Sequence, residues 1–235
     1  MKTKNETGFY NERTLSKFKN MYEEICAMFC NPEIGLVVSI SKGNVKMGDI
    51  PSVSLPPYFT CPSSCISTCA AKCYAAKICN LRPNVLASYS RNLYIAIHHP
   101  DVYWSQVKAA MRKTKWFRFH VSGDFLNYEY FLQTIKACEE CPDTQVLCFT
   151  KRFEYVNKYL NGGNTFPSNL HLLLSGWENL TPDNPFRLPE TNVIMKGAEK
   201  KQNWILCGGN CTACANAGAG CWGVRSGDTI AFPIH

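Results

Sequence analysis

Nine of the 14 cysteines in this chain fall in two short segments, CPSSCISTCAAKCYAAKIC (61–79) and CGGNCTACANAGAGCW (207–222). So dense a spacing constrains the fold more than any other feature. In a secreted chain it would read as a disulfide framework; in a reducing compartment it reads as metal ligation. The N-terminal MKTKNETGFYNERT is basic and polar, without an apolar run behind it, and no stretch approaches the roughly 20 apolar residues of a membrane span. A chain of 235 residues, 46% hydrophobic, can build a core without disulfide staples. The expectation is one cytoplasmic α/β domain over 1–235 whose two cysteine clusters, the loop over 61–79 and the C-terminal cluster over 207–223, hold metal.

In the downstream segment Cys207, Cys211 and Cys214 have the spacing C-x3-C-x2-C, and Cys221 follows after ANAGAG. A 4Fe-4S cubane needs four thiolates converging on a compact core, and a glycine-rich loop lets the backbone fold closely around one. Zinc accepts the same ligands, but a zinc ribbon draws two C-x2-C knuckles from separate hairpins, and that pattern is absent. Upstream, Cys65, Cys69 and Cys73 recur every fourth residue, which places them on one face if the segment is helical. The expected ligands are Cys61, Cys65, Cys69 and Cys73, with Cys79 spare. Cys26, Cys30, Cys138, Cys141 and Cys148 lie in regularly patterned segments and read as buried small hydrophobes.

The formal net charge is +7. Two cubanes with thiolate ligands would lower it to roughly +3, so charge argues only weakly for nucleic acid. The densest basic stretch, KAAMRKTKWFR (108–118), reads as a solvated helix end feeding a strand.

Elsewhere the apolar period alternates. Leu15, Phe18, Tyr22, Ile25 and Phe29 predict a helix over 12–30, and Val37–Ile40 a short buried strand. Residues 41–60 read as an extended loop. Helices are expected after Pro83 and after Pro100, another capped by Asn127, and a short one over Phe153–Leu160. Strands are expected at WFRFHV (116–121), 145–150, 171–175, 192–196 and 229–232. Strand–helix alternation implies a parallel sheet, either open or closed into a partial (β/α) barrel. The strand ends carry His120, Ser122 and Asp124, then Thr150 and Lys151, then Ser175 and Trp177, then Lys196. Sites in parallel α/β folds lie at carboxyl strand ends. His120, Asp124 and Lys151 are therefore the expected catalytic groups, and Ser122, Ser175 and Trp177 the expected cofactor-binding groups.

The ordered motifs IPSVSLPP, CYA, SYSRNLYIA, FRFHVSGDF, CFTKRFEYVN, LSGWENL, NPFRLP and the closing CGGNCTAC…CW resemble the gene product 88 family of phages and prophages, from about residue 36 to 235. The family pattern separates its last two cysteines by two residues, against six here. The motif order also looks like a remote relative of radical-SAM barrels. Those pair C-x3-C-x2-C with an open iron for S-adenosylmethionine early in the chain, whereas here that spacing lies late and Cys221 could close the iron. Three functions stay open: an iron–sulfur redox enzyme with or without S-adenosylmethionine, a non-catalytic iron–sulfur factor binding a host protein or nucleic acid, and a zinc-stabilised binding module.

Overall fold

The computed structural model describes residues 10–234. Most of the N-terminal stretch read above for a leader lies outside them. Eight strands form one open, mostly parallel sheet in the order β1-β2-β3-β4-β5-β6-β8-β7. They are β1 Ile40–Ser41, β2 Ser52–Val53, β3 Trp116–Phe119, β4 Gln145–Thr150, β5 Leu170–Ser175, β6 Glu190–Ile194, β7 Ile205–Leu206 and β8 Thr229–Pro233. Only β1, paired with β2, runs antiparallel. Among the described residues seven α-helices accompany the sheet: α1 Glu12–Met28, α2 Tyr74–Leu81, α3 Pro83–His98, α4 Pro100–Met111, α5 Tyr128–Glu139, α6 Phe153–Asn161 and α7 Cys211–Ala217. Among the described residues no helix is long and apolar enough to cross a membrane.

Side-chain alternation along the strands gives the sheet two different faces. Phe117 and Phe119 of β3, Val146 and Cys148 of β4, and Leu172 and Leu174 of β5 enter the large core with Tyr103, Trp104, Phe131 and Ile135 from α4 and α5. The opposite face carries Leu147, Leu173 and Ile230, covered by Met47, Ile50, Ala215 and Trp222. The loop over 44–50 and the C-terminal cysteine segment thus form the second layer. Trp222 seats it edge-on against Trp116, ring centroids 5.0 Å apart, and against His171 at 5.5 Å.

Most helices follow the sequence signals. Asn11 and Asn127 cap α1 and α5 by accepting from the amides of Thr14 and Tyr130, and Pro83 and Pro100 start α3 and α4. The basic stretch 108–118 is the end of α4 running into β3. Other expectations need correction. Only Ile40 of Val37–Ile40 is paired in the sheet, and Val37 is 59% exposed. The supposed loop 41–60 contributes β2. Cys138, Cys141 and Cys148 are buried as expected, but Cys26 is half-buried and Cys30 exposed.

Candidate functional site at the carboxyl rim

The first cysteine segment leaves the carboxyl end of β2 and is tied to the rim by the strands beside it. Arg152, just after β4, donates from Nη2 to the Thr60 carbonyl at 2.9 Å. Asn179, beyond β5, donates to the Ser67 carbonyl at 3.2 Å. The segment is built from two short 3-10 turns, Ser63–Cys65 and Ala70–Lys72, then α2. Cys73 caps α2 by accepting the Ala76 amide at 3.5 Å.

Within it the Cys65 side chain hydrogen-bonds with those of Cys61 and Cys69, which raises the Cys65 pKa. Cys69 moves the other way, to about 6, because Cys65 bonds to it and the Lys151 ammonium is near. Burial pushes Cys73 up to about 12, with Cys61 and Cys69 adding to the effect. Tyr58 lies against this group. Burial and then Cys73, Cys61 and Cys69 raise its phenol pKa, and its hydroxyl donates to the Ala70 carbonyl at 3.0 Å. A cavity of about 140 Å³ opens beside Cys61 and Cys65, lined also by Tyr58 and Phe59.

The second segment follows β7. The Cys207 amide donates to the Ala231 carbonyl and the Cys211 amide to the Lys46 carbonyl, both at 2.9 Å. Burial raises the pKa of Cys211, against Arg118 and Lys46, and that of Cys221 to about 12, with Cys207, Cys211 and Cys214 contributing. The four expected ligands of each segment are therefore near neighbours. Among the described residues, however, no three His, Cys, Asp or Glu side chains are arranged to hold one metal ion.

Tyr74 links the two segments. Its phenol donates to the Val121 carbonyl, and the thiols of Cys73 and Cys211 both act on it. Tyr74 is 53% exposed, and its phenol pKa is raised by desolvation and then by the neighbouring thiols, against Arg118.

The strand-end residues divide. Asp124 is buried and accepts from the Thr150 hydroxyl at 2.6 Å and the Lys151 amide at 2.8 Å. Lys151 in turn donates from Nζ to Ser175 Oγ at 2.6 Å and lies 5.9 Å from the Trp177 ring centroid. Asp124, Lys151, Ser175, Trp177 and Cys69 thus share one corner of the rim. His120 does not join them. The chain turns at φ +59°, ending strand alternation at Phe119, and the imidazole enters the helix-side core between Phe125 and Tyr130. Its Nε2 lies 3.2 Å from the Tyr130 hydroxyl, and burial and then Arg118 lower its pKa to about 3. Ser122 is also buried, its hydroxyl without a partner among the described residues. Lys196 lies past the end of β6 and is exposed.

Sequence reasoning missed Tyr58, Tyr74 and Arg118. A signal existed for Arg118 alone: in WFRF, alternation puts an arginine on the face opposite two core phenylalanines.

No curated protein and no solved structure matches the chain. A family model described as gene product 88 matches residues 16–223. With most of its length covered by that match, the chain belongs to the gene product 88 family.

Proposed function

We propose that this is an iron–sulfur protein with two clusters of 4Fe-4S type, one on Cys61, Cys65, Cys69 and Cys73, the other on Cys207, Cys211, Cys214 and Cys221, working as a redox enzyme at the carboxyl rim. The observation that carries the reading is proximity: Tyr74, next to Cys73, donates from its phenol to the Val121 carbonyl, and Val121 packs in the same cluster as Cys207, Cys211, Cys214 and Cys221, more than a hundred residues further along the chain. Thiolates of a cubane bind separate irons at its corners, so they stand further apart than the ligands of a single ion. Four cysteines in each segment match the ligand count of such a cluster, and the paired C-x2-C knuckles of a zinc ribbon are absent from the sequence.

A bound cluster would supply electron transfer or Lewis acidity. The chain's own contribution at the rim is Lys151, an ammonium fixed by Ser175 beside Cys69 and Trp177. It would orient an anionic or carbonyl-bearing substrate group, while Asp124 fixes the Lys151 backbone. His120 is left out of this chemistry because its ring is buried against Phe125 and Tyr130. Radical chemistry with S-adenosylmethionine is the finer form of the proposal. It needs one cluster held by three thiolates, so that an iron stays open.

The test is anaerobic purification followed by iron and acid-labile sulfide counts and a visible spectrum. Brown protein absorbing near roughly 400 nm with both elements is expected. Colourless protein with stoichiometric zinc would overturn the reading.

A further inference from the structure

Arg118 projects from β3 onto the face covered by the C-terminal cysteine segment. Its guanidinium carbon stands 4.7 Å from the Phe149 ring centroid. The Nε is buried without an acceptor, and no carboxylate pairs with the side chain among the described residues. A second cation lies alongside: Lys46 Nζ sits 5.0 Å from the Phe232 centroid, and the Phe232 and Phe149 rings are 5.9 Å apart. Phe149 and Phe232 pack against the same apolar cluster as Cys207, Cys211, Cys214 and Cys221, which places both cations beside that segment. Arg118 is half-buried and its Nε has no partner among the described residues, so an anion beside it would offset the cost of that burial. Among the groups near it are the phenols of Tyr74 and Tyr89 and the thiols of Cys211 and Cys221, and the thiols become anionic when they ligate metal.

We propose that Arg118 is the counter-charge of the Cys207–Cys211–Cys214–Cys221 site and sets its reduction potential. The inference rests on the iron–sulfur reading. A cubane with four thiolates carries about −2 when oxidised and about −3 after one electron is added. Arg118 favours the more negative state and so raises the potential. In the step concerned, one dithionite ion takes up two waters, gives one electron to each of two clusters and leaves as two bisulfite ions and two protons; no bond to Arg118 forms or breaks. Guanidinium geometry suits this task because its charge is permanent and spread over a plane that stacks on an aromatic ring.

The experiment is a potentiometric titration of the full-length loaded protein with dithionite, followed by electron paramagnetic resonance. Wild type is compared with Arg118→Gln and Arg118→Lys, each also in a Cys69→Ala, Cys73→Ala background that leaves only the downstream site. Arg118→Gln should disfavour reduction of that site at least tenfold, a downward shift of about 59 mV for one electron. Arg118→Lys should lose less, and the upstream site should not move. If Arg118→Gln instead loses the downstream iron while Arg118→Lys keeps it, the counter-charge role is supported through binding. Equal potentials in wild type and Arg118→Gln overturn it, as does equal iron loss in both variants. Wild type devoid of iron and sulfide is a separate result: it removes the iron–sulfur reading, and this inference with it.

Discussion

Asp124, in the loop after β3, accepts a 2.6 Å hydrogen bond from the hydroxyl of Thr150 at the end of β4. The same carboxylate accepts from the amides of Phe125 and Lys151, each at 2.8 Å, and the Asp124 amide donates to Thr60 at 3.0 Å. One buried side chain therefore joins the ends of two adjacent strands to the segment that leads into Cys61.

Asp124→Ala should strand three donors in a buried corner. The expected cost is about 3–5 kcal/mol, the range for breaking a buried charged network on one side. Asp124→Asn keeps one acceptor but turns an NH2 toward donors, and should cost less. Urea unfolding of both variants checks this; a loss below about 1 kcal/mol for Asp124→Ala would show that the corner is not sealed.

His120 should make the protein acid-sensitive. Its pKa falls from 6.5 to about 3 because the ring is buried. Between those values the unfolded chain binds a proton that the native ring refuses, so stability rises with pH across that window. The contribution is complete above about pH 6.5 and is lost as pH falls toward about 3, at up to about 1.4 kcal/mol per pH unit. Asn tolerates the left-handed backbone at this position and does not titrate. His120→Asn should therefore lower stability at pH 7 yet flatten its decline toward pH 4, measured by urea midpoints at several pH values. An unchanged slope would mean that another group dominates.

The same residue shows where sequence reading stops. Alternation placed His120 and Ser122 on one side of a strand, but a positive φ at His120 breaks that rule, and nothing in the residue type signals it. The strands β3, β4, β5 and β8 were legible because apolar runs bounded by turns have one good reading. The helices α1, α3, α4 and α5 were legible through caps, prolines and periodicity. By contrast α2 and α7 are short and made of Ala, Cys and Asn, so their periodicity is faint, while β2 is two residues inside a Ser- and Pro-rich run. The rim residues Asp124, Lys151, Ser175 and Trp177 could be guessed from strand ends. Tyr74 could not, since its place between the cysteine segments depends on how the C-terminal segment folds back across the sheet.

Gly123 is a position where the corner admits no side chain. It has φ +77°, and a Cβ there would lie 2.6 Å from the Thr60 hydroxyl and 2.9 Å from the Leu55 carbonyl. Gly123→Ala combines a strained backbone with a clash against main chain, so a loss of about 2–4 kcal/mol is expected. Thermal melts would show a drop of several degrees. Gly163 also has φ +77° but meets nothing within 4 Å, so Gly163→Ala should cost less and separates strain from clash.

The cysteines themselves give the sharpest contrast. Cys138 and Cys148 are fully buried in the helix-side core, and burial raises both thiol pKa values. Nothing about them suits ligation: the thiol of Cys148 reaches only the Phe149 carbonyl, at 4.0 Å. Cys211 and Cys214 are half-buried beside two further thiols and Arg118 or Gly220. Replacing either core cysteine by Ala removes one sulfur from a packed site, at about 1–2 kcal/mol, and should leave iron content unchanged. Replacing Cys211 or Cys214 by Ala should instead remove one cluster's worth of iron, with a loss of stability that disappears when wild type is stripped of metal, because ligation and folding are linked. Iron counts alongside melts of loaded and chelated protein read both effects. Equal iron loss from the two pairs would show that ligand and core cysteines are not separated as their surroundings imply.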